Sequence, residues 1–111
     1  MDVDLHCHST ASDGALPPSM VVARAHARGV RLLALTDHDT LEGLDEARAT
    51  ADELGLQLVN GIELSCLWGG ATIHVLGYGF AADAPALVNA MAALHDGRWQ
   101  RAELISKRLA L

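Results

Sequence analysis

Two stretches decide the fold: Asp4-Leu5-His6-Cys7-His8 and Thr36-Asp37-His38-Asp39-Thr40. Each closes a short apolar run, Val3–Leu5 and Leu32–Leu35, and each run reads as a buried strand. A strand that ends in a burst of His and Asp delivers those side chains to one rim of a sheet. In parallel α/β folds that rim is where ligands and catalytic groups collect. Side chains alternate across a strand, so His6 and His8 point the same way, within reach of one metal ion. A metal site built on strand ends is the first expectation.

Outward from these stretches, Ser9–Leu16 reads as a loop that turns at Ser12-Asp13-Gly14. Pro17 and Pro18 open a helix through about Arg28, with Gly29 just past its end. Val30–Leu35 is the second strand. Thr40 is read as the N-cap of a helix to Leu54, with Leu44, Ala47, Ala51 and Leu54 as its buried stripe and Gly55 as its stop. Such a βαβα order with short loops predicts parallel strand pairing. A strand over Gln57–Glu63, the reversal Trp68-Gly69-Gly70 and a strand over Ala71–Tyr78 suggest a hairpin. Ala84–Leu94 reads as a helix, and Trp99–Leu109 as an amphipathic segment with no stop signal.

The chain has 111 residues, at most one domain, and its strands number about four. A βα barrel needs roughly eight strands and about 200 residues or more, so the expectation is the front part of a larger α/β domain. Net charge is −6, with twelve Asp/Glu against four Arg in residues 1–94. That acidic body argues against duplex DNA as a partner, and bound divalent cations would offset part of it. Arg98, Arg101, Lys107 and Arg108 crowd the last fourteen positions. Cys7 and Cys66 lack C-x-x-C spacing, so reduced cytoplasmic thiols are expected. No apolar run is long enough to span a membrane.

Six positions carry the chemistry: His6, His8, Asp13, His38, Glu63 and His74. Each has an ordinary reading alone: a surface histidine, a turn aspartate, a hydrogen-bonded core histidine at His74. Glu63 is harder to set aside, because an unpaired carboxylate in a buried strand is costly. Four His and two acids gathered at strand ends favour metal. His26, within a helix, and His95 serve as controls without a function. Imidazole and carboxylate donors suit Zn, Mn or Fe, and the sequence leaves the choice open. Glu63 is the candidate to bridge two ions, in the manner of sites that act on phosphoryl groups.

The stretches Asp4–Gly14 (DLHCHSTASDG), Leu33–Thr40 (LALTDHDT), Gly61–Ser65 (GIELS) and Ile73–Tyr78 (IHVLGY) together resemble the first motifs of the PHP (polymerase and histidinol phosphatase) superfamily. The nearest branch by resemblance is its stand-alone phosphoesterases, the 3′,5′-nucleotide bisphosphatases and 5′→3′ exoribonucleases. The resemblance implies the N-terminal part of a distorted (βα)7 TIM-like barrel, residues 1–80 forming the metal-motif core and 81–111 starting a helical, basic insertion. It implies up to three divalent transition metals: His6 and His8 on the first, Glu63 bridging to a second that His74 also holds, Asp13 and His38 on the third. Glu63, His38 and Asp13 would thereby serve catalysis, with a metal-bridging hydroxide attacking phosphorus. Asp37 and Asp39 would orient His38 and its neighbours, while Arg98 and Arg101 would meet substrate phosphate. The implied partner is a phosphorylated small molecule, nucleotide or short oligonucleotide.

The family completes its metal shells with two further His and an Asp, two of these three in an Asp-x-His, and nothing after His74 supplies them. The 111-residue chain alone is therefore expected to be inactive and to self-associate. Two rivals remain: a non-catalytic metal-binding PHP module, and an amidohydrolase-type metallohydrolase, whose barrel also begins with H-x-H.

Overall fold

In the computed structural model, which describes residues 2–94 and 96, four strands form one sheet in the order β1-β2-β3-β4. They are β1 (Val3–Cys7), β2 (Leu32–Leu35), β3 (Gln57–Trp68) and β4 (Ala71–Tyr78), with α1 (Pro18–Ala27) and α2 (Leu44–Leu54) in the two crossovers. β1 pairs parallel with β2 and β2 parallel with β3, while β4 returns antiparallel along β3. The chain divides after Ala81; the remaining described residues include a helical stretch over 85–94.

The core lies where α1 and α2 cover β2 and β3. Leu33, Leu35, Val22 and Ile62 are the large apolar side chains sealed there, with Ala34, Ala47 and Ala51 admitting the close approach of helix to sheet. The apolar runs at the ends of β2 and β3 therefore fix the floor on which the polar strand ends stand.

Three expectations need correction. β1 is not buried: it is an edge strand, and Val3 and Leu5 are both exposed because only β2 pairs with it among the described residues. Thr40 does not cap α2, which starts four residues later at Leu44 after Gly43. The backbone of residues 38–39 is taken up by β3, through a His38–Glu63 bridge and an Asp39 N–H bond to the Glu63 carbonyl (3.0 Å). Thr40 Oγ1 instead accepts the Glu42 N–H in the turn that frees the chain to coil. Leu54 falls off the buried stripe at 37% exposed, being the last residue of the helix, whereas Leu44, Ala47 and Ala51 hold it.

The reversal at Trp68-Gly69-Gly70 is as expected. Gly69 (φ 54°) and Gly70 (φ 83°) both occupy the left-handed region, the requirement of a two-residue hairpin turn whose twist matches its strands. β3 outruns its expected end by five residues, so Glu63 lies mid-strand and the hairpin carries β4 back past it.

Candidate metal centre

β1 ends by presenting His6 and His8, β2 runs into His38, β3 carries Glu63 inward, and β4 brings His74 back alongside. His74 lies opposite Ser65 and diagonal to Glu63, whose own partner is Leu76. Diagonal neighbours on one face of an antiparallel pair are within reach of long side chains. The Glu63 carboxylate, 5% exposed, is the hub. Oε1 accepts from His6 Nε2 at 2.6 Å and Oε2 from His74 Nδ1 at 2.7 Å. His38 Nδ1 is 3.0 Å from Oε2, and His8 Nε2 is 3.6 Å from Oε1.

Asp13 arrives from the loop after β1. Its oxygens stand 3.4 Å from His8 Nδ1 and 3.3 Å from His38 Nε2. The loop is held by Asp37, whose buried carboxylate accepts the Ser9 N–H (2.7 Å), the Ser9 hydroxyl (2.7 Å) and the Ser12 hydroxyl (2.6 Å). Gly14 lies so close to the His8 carbonyl group that an added Cβ would sit 2.6 Å from its carbon. Only glycine fits there, and that tight fold points Asp13 back over the histidines.

The six donors form three overlapping groups: His6, His8 and Glu63; His8, Asp13 and His38; His38, Glu63 and His74. Within each group the ligand atoms lie within 4.8 Å of one another, close enough to share an ion. The imidazoles crowd together, with ring centroids 5.1 Å apart for His6–His8, 4.5 Å for His8–His38 and 5.3 Å for His38–His74. Rings so close around one carboxylate put several nitrogen donors within reach of a single cation.

Burial alone would push Glu63 up, but hydrogen bonds from His74 and His6, and the charges of His38 and His8, outweigh it and hold the carboxyl below its usual 4.5. Its stabilising contribution is therefore present above that ordinary value and is lost as pH falls through the lowered one.

The donor set fits a metal on the structure's own terms. His8 Nδ1 is buried without a hydrogen-bond partner among the described residues, an uncommon state that a cation would relieve. Cys7 does not compete. Its thiol donates to the Ala34 carbonyl (3.3 Å), and burial, followed by the charges of Asp4 and Asp37, pushes its pKa up to about 12. A thiol so held is not a thiolate at neutral pH, which leaves nitrogen and oxygen donors for borderline or hard ions.

Other expectations fall elsewhere. His74 is half exposed, so it is not a core histidine. Asp37 and Asp39 flank His38; Asp37 accepts bonds from the Ser9 loop, and Asp39 Oδ1 accepts the Ser65 N–H (2.8 Å), with Asp39 itself at φ 51°. Ser9 and Ser12 carried no role in the sequence reading. The signal was their place inside the His-Ser and Ser-Asp-Gly stretches, where a hydroxyl next to a ligand in sequence can tie its loop down. His26 is exposed on α1. Arg98, Arg101, His95 and Trp99–Leu109 lie outside the described residues.

Residues 4–105 match the model of the PHP domain. The chain is 50% identical over 98 residues to a 5′-3′ exoribonuclease of Haemophilus influenzae, covering 86% of this chain and 36% of that protein. It is 45% identical over 108 residues to a 3′,5′-nucleoside bisphosphate phosphatase of Chromobacterium violaceum, covering 97% and 38%. A solved structure described as an amidohydrolase from Chromobacterium violaceum, with bound sulfate and no metal, superposes with a TM-score of 0.88 at 44% identity, covering 99% and 39%. The chain thus spans less than two-fifths of the length of these relatives.

Proposed function

The chain belongs to the PHP domain family, and on that premise we propose that it forms the first part of a metal-dependent phosphoesterase hydrolysing phosphate esters of nucleotides or short oligonucleotides. Its α/β sheet matches the N-terminal part of that fold. The observation that carries the proposal is the gathering of six N and O donors around the buried Glu63 carboxylate in three overlapping groups. The named activities of the two enzyme relatives set the substrate class.

Divalent ions, of which Mn, Fe and Zn suit the donors, would supply Lewis-acid polarisation of a phosphoryl oxygen and a more acidic water. The chain's own residues do the rest. Glu63 offers one oxygen to the His6/His8 side and the other to the His38/His74 side, which is the arrangement of a bridging ligand. Asp13 adds negative charge at the mouth of the site, beside His8 and His38, and its side chain stays open to solvent at 66% exposed. Arg98 and Arg101 are the proposed phosphate contacts.

In a protein that carries these residues within a complete PHP fold, phosphate release from a nucleoside 3′,5′-bisphosphate should require Mn²⁺ or a similar ion and cease on chelation. Release that survives chelation, or cleavage of an amide but not of a phosphate ester, would overturn the proposal. The amidase arm also tests the amidohydrolase reading attached to the structural relative.

Among the described residues no helix is long and apolar enough to cross a membrane. The free thiols of Cys7 and Cys66 fit the reducing cytoplasm, where we place the protein; a secreted pool of it would contradict this. Both sheet edges, β1 and β4, carry exposed apolar side chains, among them Leu5, Ile73 and Val75. Edges left without a strand partner among the described residues favour pairing between copies, so the chain by itself should self-associate. Light scattering that returned a clean monomer mass would contradict that expectation.

A further inference from the structure

One bond in the sheet has no counterpart in the ladder: the Tyr78 hydroxyl donates to the Leu5 carbonyl at 2.7 Å, across 73 residues of sequence. β4 and β1 are the two edges of the sheet, with β2 and β3 between them. A side chain from one edge can reach the other only if the sheet curls and the side chain lies on the concave face. Tyr78 meets that condition. It stands opposite Gly61 in the β3–β4 register, two and four residues along from Leu76 and His74, and so shares the face on which His74 meets Glu63. Its register partner has no side chain to obstruct the ring.

The far end of the bond falls at an irregular place. Pairing of β1 with β2 passes from Asp4↔Leu33 to Cys7↔Leu35, which sets Leu5 and His6 of β1 against Ala34 alone. Two residues facing one is a bulge, the device that re-aims a side chain next to a site. His6 is the residue this bulge turns toward Glu63 Oε1. β1 is tied to β2 on either side of the bulge, at Asp2 and at Cys7, and the His6 N–H bonds the Asp4 carboxylate within it; Tyr78 holds the Leu5 carbonyl between those ties.

We propose that Tyr78 is a positioning residue: its hydroxyl clamps the β1 bulge at Leu5 and thereby aims His6 at the Glu63 carboxylate from the opposite edge of the sheet. The proposal rests on the metal reading given above and adds a residue to it. The Tyr78 hydroxyl bonds a backbone carbonyl, not a ligand atom. It acts through the backbone one residue before His6, and the ring alone, without its hydroxyl, cannot hold the carbonyl.

The test is Co²⁺ binding to the tag-free chain, followed by the visible absorption of the bound ion. Tyr78→Phe keeps the ring and removes only the donor. It should weaken Co²⁺ binding about tenfold, the lower end of what partners of metal ligands usually contribute. A double-mutant cycle separates aiming from general support. In a His6→Ala background the cost of Tyr78→Phe should disappear, because the residue it aims is gone. In a His74→Ala background the cost should persist, although His74 lies on the same strand as Tyr78. An equal cost in both backgrounds would make Tyr78 a merely structural residue and overturn the proposal. Unchanged Co²⁺ affinity in Tyr78→Phe would overturn it too, while leaving the metal reading intact. No Co²⁺ uptake by the wild-type chain would overturn both.

Discussion

Replacing Glu63 with alanine should lower turnover by about a thousandfold in a protein that carries these residues within a complete PHP fold, or ~4 kcal/mol of barrier. The size follows from the position of the carboxylate. Residues that only support a metal ligand typically contribute roughly 10–100-fold, and Glu63 is in contact with four imidazoles belonging to two of the three donor groups. Its loss would leave His6 and His74 without the acceptor that orients them, and would remove the buried negative charge that offsets a cation. Arg101→Ala provides the contrast. An arginine that only binds phosphate should raise KM and leave kcat nearly intact. Steady-state rates on a nucleoside 3′,5′-bisphosphate measure both. A Glu63→Ala protein with near-normal kcat would remove the carboxylate from the centre of the account.

Asp37→Ala should produce the largest loss of stability, about 3–5 kcal/mol. Three donors converge on the Asp37 carboxylate, and Ser9, which supplies two of them, is fully buried. Alanine would strand the Ser9 N–H and hydroxyl away from water, and unmade buried hydrogen bonds are far more costly than made ones are favourable. Ser12 would be freed as well, and with it the turn that presents Asp13, so metal affinity should fall along with stability. Asp37→Asn keeps the shape but turns an amide donor toward donors, and should recover only part of the loss. Urea unfolding of the three proteins, followed by circular dichroism, gives the order: wild type, then Asn, then Ala. An alanine variant as stable as the wild type would mean that the Ser9 loop is held by something else.

What could be read from the chain and what could not divide along one physical line. Local signals were legible. The bounds of β4, the Gly69-Gly70 reversal and the start of α1 after Pro17 follow from propensity and turn chemistry, which act over a few residues. So was the gathering of His6, His8 and His38, because parallel strands deliver their ends to one rim, whereas Glu63 joins them from mid-strand, His74 from the antiparallel return and Asp13 from a loop. Contacts between distant segments were not legible. Nothing in Val3–Leu5 tells an edge strand from a central one, since that depends on which neighbours the sheet supplies. The Thr40 cap failed because a long-range bridge to Glu63 overrode a local preference. The bonds of Ser9 to Asp37, and of Tyr78 to Leu5, join residues 28 and 73 positions apart, and such pairs leave no periodicity to detect.

The central claim is that these donors hold divalent ions, and elemental analysis of the chain, purified without a histidine tag, tests it most directly. At least one equivalent of Mn, Fe or Zn is expected in the wild type and in His26→Ala, whose imidazole lies exposed on α1, and clearly less in His6→Ala and Glu63→Ala. Equal metal in all four proteins, or none in the wild type, would contradict it.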